Sequence, residues 1–204
     1  MKKLLYLLMF SLLVVAGCSS EETSEEQESD IEEHSDIEQQ DDDTISDDPL
    51  EVGNKNNDIN KIEYNYETYK VVDWYSNSDT NDDGFNTVDC NGYTFDFSFA
   101  VVEDEEGEQY IGMFGETENK TNDVVQFNAD MEFLTDTQDQ TELEDGIGKS
   151  KPKVKLKGFS VAPLEYGVPE SFKVTIDPPF KEKGEDEYME GDFGEPIELE
   201  FTKE

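Results

Sequence analysis

Strict alternation of apolar and polar residues marks the clearest element of this chain, the run YTFDFSFAVV at residues 93–102. A period of two sends successive side chains to opposite faces of a β-strand. The run therefore predicts a strand with one apolar face and one more polar face. The apolar positions are Tyr93, Phe95, Phe97, Phe99 and Val101.

The same alternation recurs along the C-terminal part of the chain, and clusters rich in Gly, Asn, Asp and Pro separate the runs. No stretch sustains the period of 3.6 that an amphipathic helix requires. We therefore expect an all-β fold, an antiparallel β-sandwich of about seven strands within residues 61–204. The further runs are IEYNYETY from Ile62, VQFNADMEF from Val125, KVKLKGF from Lys153, SFKVTID from Ser171 and IELEF from Ile197.

The N-terminal end has a different pattern, with two lysines followed by an apolar run from Leu4 to Val15 and then small residues before Cys18. Such a tripartite segment indicates a secretory signal at residues 1–17, and it is shorter than the ~20 residues of a membrane-spanning helix. Its end resembles a bacterial lipobox. That resemblance implies that Cys18 becomes the first mature residue, carries a diacylglycerol group and anchors the protein to the outer face of the membrane.

Residues 18–60 follow with many acids and few apolar side chains, and the first basic residue of this segment is Lys55. Such a composition cannot bury enough apolar surface to offset the entropy of ordering the chain. We expect a disordered acidic tether between the lipidated cysteine and the folded domain. Self-repulsion extends such a tether, which suits display across a Gram-positive envelope.

Charge narrows the set of partners. The chain holds 53 Asp plus Glu against 15 Lys plus Arg, giving a formal net charge of -38. All the basic residues are lysines. Nucleic-acid binding depends on basic side chains that neutralise phosphates, so the composition argues against that function. We expect the membrane, through the lipid anchor, and a protein or an anionic wall polymer as partners.

The run from Gln109 to Gln140 resembles the immunoglobulin-like, or telokin-like, domain of Gram-positive surface lipoproteins. A strand there is followed by the polar turn ENKTND and by another alternating strand. The resemblance implies an immunoglobulin-like sandwich and a location in the cell envelope, without assigning a function. The positions that carry it are Glu118, Asn119, Thr121, Asn122 and Asp123.

The run DTNDDGFNTVD, residues 79–89, spaces oxygen-bearing residues as a calcium loop does, with a glycine for the sharp turn. The acid expected at position 12 is absent, because Cys90 stands there and the nearest acid is one residue earlier. An Asx-rich turn without metal explains the same residues, and both interpretations stay open. The candidate Ca²⁺ ligands are Asp79, Asn81, Asp83, the Phe85 carbonyl and Asp89.

The run KSKPKVKLK carries alternate lysines from Lys149 onward, the only concentrated positive charge after the signal segment. On one strand these lysines form a row that fits an anionic polymer, an acidic partner or the protein's own tether. Alternatively, lysines and Pro152 protect an exposed edge strand from pairing with other chains. The candidate anion-binding residues are Lys151, Lys153, Lys155 and Lys157.

Catalytic chemistry has little support in the sequence. The only histidine, His34, falls in the predicted tether, which argues against a histidine-activated nucleophile in the domain. Cys90 has no second cysteine once Cys18 is lipidated, so we expect a buried small apolar side chain or a free thiol. We therefore expect a binding module, not an enzyme. The alternatives are a calcium-stabilised adhesion or assembly module and a cell-wall hydrolase with paired carboxylates.

Overall fold

A computed structural model describes residues 44–127, 131–138, 140–143, 148–184, 187–189 and 193–204. These residues belong to one compact unit, which spans Asp41–Glu204. The predicted signal segment, Cys18 and the tether up to residue 43 lie outside the described residues.

Strands dominate the described residues, and one short helix lies near their start. In chain order the elements are β1 (Ile45–Ser46), α1 (Pro49–Val52), β2 (Lys61–Tyr64), β3 (Glu67–Ser76), β4 (Asn86–Cys90), β5 (Tyr93–Glu103), β6 (Gln109–Asn119), β7 (Val125–Gln126), β8 (Met131–Thr135), β9 (Gln140–Glu142), β10 (Lys149–Ser150), β11 (Lys155–Pro163), β12 (Ser171–Ile176), β13 (Phe180–Gly184), β14 (Glu187–Met189) and β15 (Ile197–Lys203).

Most of these strands form one eleven-stranded sheet, whose main path runs β11-β6-β5-β3-β15-β12-β8-β9. Strand β4 pairs with β5, β2 with β3 and β1 with β2, and the last of these pairings is parallel. A four-stranded sheet has the order β10-β7-β13-β14. The prediction of an all-β fold is confirmed. The expected count of about seven strands is too low, because strands of two to five residues leave little or no readable alternation in the sequence.

The core lies between two halves of the large sheet, which curls so that β5 and β6 face β8, β12 and β15. The Phe99 ring shows this arrangement. Its centroid lies 5.5 Å from that of Phe133, 5.3 Å from that of Phe172 and 5.0 Å from that of Phe201. Edge-to-face aromatic pairs of this kind add packing energy beyond the area they bury.

Strand β5 is buried on both faces, although the sequence predicted one polar face. The alternating residues Tyr93 to Val101 face the aromatic core as expected. The opposite face carries Ala100 and Val102, which belong to a second apolar cluster with Phe114 and Phe159. That cluster forms because the chain before β2 covers this side of the sheet.

Residues 45–60, named the clasp from here on, form that cover. The helix α1 begins after Asp48, whose side chain accepts a hydrogen bond from the Leu50 N–H at 3.0 Å. Val52 is fully buried against the second cluster. The carbonyl of Gly53 accepts a buried hydrogen bond from the Ser98 hydroxyl at 2.9 Å.

The fold includes the clasp, so its packed residues begin before residue 61, the predicted start of the domain. Residues 44–60 were assigned to the disordered tether on their average composition. A few apolar side chains such as Val52 order the segment, because the sheet already offers an apolar surface to cover.

Candidate functional site

The predicted calcium loop joins β3 to β4 and is held by its own backbone. The Asn81 Oδ1 atom accepts hydrogen bonds from the N–H groups of Asp83 and Phe85, each at 3.0 Å. The Asn81 N–H donates to the Phe85 carbonyl at 2.9 Å. Gly84 has a φ of 94°, which favours glycine at the turn. Asn81 thus organises an Asx turn, as the metal-free interpretation expects.

The predicted calcium ligands do not converge in this arrangement. Asp83 Oδ1 accepts a hydrogen bond from the Asn56 amide at 3.2 Å, and Asp79 is exposed. Asp89 lies four residues beyond Phe85 on β4, about 13 Å along an extended strand. Its carboxylate accepts from the Gly92 N–H at 2.8 Å. Among the described residues, no group of three His, Cys, Asp or Glu side chains is placed to hold a metal.

One oxygen beside the loop lacks a partner. The Asn86 side chain is 3 % exposed and donates from Nδ2 to the Thr80 hydroxyl at 3.0 Å. Its Oδ1 accepts no hydrogen bond from the part of the chain that the structure describes. A single orphan oxygen does not make a calcium site, which takes six to eight oxygen ligands. Calcium binding at this loop therefore stays a prediction that requires the loop to rearrange.

The predicted lysine row is divided between two sheets. Lys149 lies on β10, and Lys151 lies in the turn that follows. Lys153, in the same turn, has a φ of 62° and so interrupts the extended chain. Only Lys155 and Lys157 lie on β11. The expectation that all these lysines share one strand is wrong, because the turn at Pro152 separates β10 from β11.

The β11 lysines contact acids of this chain. The Lys155 ammonium forms an ion pair with Glu116, and Lys157 Nζ lies 2.5 Å from the Asp48 carboxylate. These hydrogen bonds raise the pKa of both lysines. The Lys153 ammonium donates to the Lys120 carbonyl. Lys157 thus contacts the segment that precedes β2. Contact with the protein's own N-terminal segment was one of the roles that the sequence left open.

Strand β11 is an end strand of the large sheet, since in the described part of the chain it pairs only with β6. This position agrees with the alternative interpretation of the lysines as guards of a sheet edge. Val154 and Leu156 are partly buried between the exposed lysines. The exposed side chains of the row are Lys151, Lys153, Lys155 and Lys157.

The calcium loop, the clasp and the sheet enclose an open groove of about 380 Å³, named the clasp groove from here on. Asn81 and Phe85 of the predicted calcium loop lie in its wall, together with Glu116, which Lys155 contacts. The clasp groove is therefore the place where both candidate sites meet. Its lining residues are Leu50, Asn54, Asn81, Phe85, Thr87, Asp96 and Glu116.

Two carboxylates give the clasp groove its electrostatic character. Asp96 on β5 lies directly opposite Glu116 on β6 in the sheet register. Like charges at opposed positions repel unless they are compensated. Lys155 compensates Glu116, and the Thr87 hydroxyl donates to Asp96 at 2.6 Å. The site therefore presents an acidic floor, and Leu50 and Phe85 supply apolar flanks.

Sequence analysis missed the groove residues Leu50, Asn54, Asp96 and Glu116. The two acids stand at polar positions of alternating strands, which by itself marks many residues. A signal for their pairing existed in the run EDEEGE at residues 103–108, whose glycine and acids are typical of a turn, because the hairpin pairs Glu103 with Gln109. Counting outward from that pair brings Asp96 opposite Glu116. The clasp residues gave no comparable signal, since their contacts are distant in sequence.

A second concave region lies between the β2–β3 and β5–β6 hairpins, lined by acids and tyrosines. The Tyr69 hydroxyl donates to Glu67 at 2.6 Å, and the Tyr110 hydroxyl donates to Asp104 at 3.0 Å. Burial, together with the hydrogen bond to Asp104, raises the pKa of Tyr110 to about 12. Both hydroxyls thus remain protonated donors to these acids at neutral pH.

Cys90 is buried, as one of the two sequence interpretations expects, and it forms no disulfide within the described residues. Burial raises the pKa of its thiol, so the reactive thiolate is disfavoured. The side chain packs in the aromatic core as a small apolar group.

No family model, curated protein or solved structure matches this chain. The described residues also contain no helix that is long and apolar enough to cross a membrane.

Proposed function

We propose that the protein is a lipid-anchored binding module on the outer face of a Gram-positive membrane, and that it contacts its partner through the clasp groove. The proposal includes lipidation of Cys18, an acidic tether before the clasp, and an immunoglobulin-like arrangement of the two facing half-sheets. It assigns no catalytic step to the protein.

The observation that carries the proposal is the clasp groove, an open concavity built from four separate parts of the chain: the clasp, the loop with the start of β4, and strands β5 and β6. It combines carboxylates, side-chain amides and apolar flanks at one exposed place. Binding sites commonly join apolar surface with a few polar groups that fix orientation. An extended segment of a protein partner fits this mixture of groups.

Charge favours a basic partner segment at this groove. Asp96 and Glu116 share the floor, and among the described residues Lys155 forms its ion pair with Glu116 and only a longer-range electrostatic interaction with Asp96. A lysine side chain from outside would reach Asp96 with its ammonium group and lay its methylenes along Phe85. The net charge of -38 attracts cations to the whole protein. The test must therefore distinguish binding at the groove from this general attraction.

The test uses the full mature chain with Cys18→Ala, tetralysine peptide as the probe, and calorimetry at 0.15 M sodium chloride. We expect Asp96→Asn to weaken binding about threefold, the scale of one partly exposed ion pair. Glu106→Gln on the β5–β6 hairpin is the control, because it removes the same charge away from the groove. Equal weakening by both variants would show general attraction and would exclude the groove as the site.

The alternative partner, an anionic wall polymer, has a separate test. Lys151 and Lys153 are exposed and belong to the predicted lysine row. The probe is poly(glycerol phosphate), and the variant combines Lys151→Gln with Lys153→Gln. The wall polymer would replace the proposed partner if this variant abolishes polymer binding and if tetralysine binding does not depend on the groove.

The anchor is tested in cells by labelling with an alkyne analogue of palmitate. We expect label on the wild-type protein in the membrane fraction and none on Cys18→Ala, which should leave the membrane. A labelled Cys18→Ala protein, or an unlabelled wild type, would overturn the proposed lipidation.

A further inference from the structure

We propose that the clasp opens as a unit separate from the rest of the fold, and that its opening dismantles the clasp groove. The second part rests on the proposed function, whereas the first does not. Tension on the membrane anchor would then favour the open clasp, and a ligand in the groove would favour the closed clasp.

The clasp has a small interface for its length. Strand β1 contributes two residues and α1 a single turn. Among the described clasp residues, Pro49 and Val52 are the buried apolar side chains of α1, and Ile59 packs partly buried against the second cluster. By contrast, β5 and β6 pair over their whole length within the aromatic core. Segments with few buried contacts open at lower free energy than core strands do.

Ion pairs fasten the clasp to the rest of the fold at two points on the surface. Asp48 contacts Lys157 at 2.5 Å on the β11 edge. Lys55 contacts Glu204, the last residue of the chain, at 2.8 Å. Partly exposed ion pairs contribute little stability individually, so these fasteners position the clasp without locking it.

Other groups of the clasp build the groove and hold the loop across from it. Leu50 and Asn54 line one wall. The Asn56 amide donates to the Asp82 carbonyl at 2.9 Å, and the Lys55 N–H donates to the Asp83 carbonyl at 3.1 Å. Opening the clasp therefore removes one wall and releases the opposite loop at the same time.

The clasp is also the first described part of the fold after the predicted tether. Tension applied to a lipid at Cys18 reaches β1 before any core strand, because β1 precedes every core strand in the chain. Closing the clasp strengthens the binding of a ligand that needs the closed groove. Binding of that ligand must stabilise the closed clasp by an equal free energy, because coupling between two equilibria is reciprocal.

Single-molecule pulling tests the first part, with handles on the Cys18 thiol and the C-terminus of the non-lipidated mature chain. We expect a low-force step before global unfolding. Release of the clasp, which has 16 residues (60 minus 44), adds up to about 55 Å at ~3.5 Å per residue. Unfolding of the whole domain in one step, with no such event, would overturn the proposal.

Gly53→Ala is a variant that disturbs the packing of the clasp specifically. An ideal Cβ at Gly53 would lie 2.5 Å from Phe114 Cβ, so the clasp must shift. We expect this variant to lower the force of the first step and to leave the second step unchanged. Gly148→Ala is the matched control, because nothing lies within 4 Å of its added Cβ. Equal effects of Gly53→Ala on both steps would show that the clasp is not a separate unit.

Amide hydrogen exchange gives a readout without force. The N–H groups of Val52 and Gly53 bond to the carbonyls of Asp48 and Pro49. We expect Gly53→Ala to speed their exchange at least tenfold and to leave Ala100 on β5 unchanged. If the clasp opens this way but tetralysine affinity stays at the wild-type value, the link to the groove fails and the separate opening of the clasp stands.

Discussion

At the scale of single residues, Asn119 shows how one buried amide organises a polar turn. Its Nδ2 donates to the carbonyls of Asp123 at 2.9 Å and Ser150 at 3.1 Å. Its Oδ1 accepts from the N–H and the hydroxyl of Thr121, at 3.0 and 2.7 Å. The side chain is completely buried. Asn119 thus joins the end of β6 to β10 and holds the turn after β6 in place.

We expect Asn119→Ala to lower the free energy of unfolding by about 2 to 4 kcal/mol, because it leaves several buried polar groups without partners. Urea denaturation of the mature chain measures the change. Asn122→Ala, an exposed position three residues later, is the control and should shift stability little. Similar losses in the two variants would contradict the structural role of Asn119.

Asn81 has a comparable role in the calcium loop, where its amide oxygen accepts two backbone N–H groups. We expect Asn81→Ala to destabilise the protein by about 1 kcal/mol in chelator, the scale of a lost cap or turn hydrogen bond. Asp79→Ala is the control, since that side chain is exposed. Thermal denaturation with and without calcium measures both variants.

The calcium hypothesis makes the opposite prediction for the same experiment. It requires the melting temperature of the wild type to rise with calcium and not with magnesium, and it requires Asp83→Asn to remove the rise. A loss in Asn81→Ala that appears only with calcium would contradict the turn role.

At the scale of elements, the clasp depends on charge in a way that pH can reveal. The hydrogen bond from Lys157 lowers the pKa of Asp48, and the hydrogen bond from Lys55 lowers the pKa of Glu204. A carboxyl group with a lowered pKa in the folded state stabilises that state above its unfolded pKa of about 4. This contribution is lost as the pH falls through the folded pKa.

We therefore expect the clasp to loosen below about pH 4, before the core unfolds. Exchange of the Gly53 amide, corrected for the intrinsic effect of pH, measures the loosening. Asp48→Asn is the informative variant, because asparagine keeps the helix cap and lacks the titrating charge. It should weaken the clasp at neutral pH and reduce the pH dependence. Identical pH profiles for the two proteins would show that Asp48 does not control the clasp.

At the scale of the whole molecule, self-repulsion opposes folding. The formal net charge is -38, and compaction brings the acids of the domain closer together. Salt screens this repulsion, since the Debye length falls from about 30 Å at 0.01 M to about 8 Å at 0.15 M.

We expect the melting temperature to rise by several degrees between 0.01 and 0.5 M sodium chloride, because screening relieves net repulsion. Calorimetry of the mature chain measures this change, and potassium chloride should give the same curve if screening is the cause. A fall in melting temperature would mean that ion pairs such as Lys55 with Glu204 outweigh the repulsion.

Sequence alone determined the fold class and the position of the main strands. The reason is local, because alternation from Tyr93 to Val101 is set by the two-residue repeat of a strand and needs no knowledge of the partner strands. The sequence likewise predicted the Asx turn at Asn81 as one of two interpretations. It also predicted the edge role of β11 as an alternative to anion binding. The signal segment and Cys18 remain sequence predictions.

Only the tertiary structure decided that the chain before Lys61 belongs to the fold and that Asp96 and Glu116 share a groove with Leu50 and Asn54. These contacts join parts of the chain that are far apart in sequence. Val52 becomes a core residue because Phe114 and Phe159 present an apolar surface at that place. Average composition could not reveal this burial, since one well-placed side chain outweighs the polar residues around it.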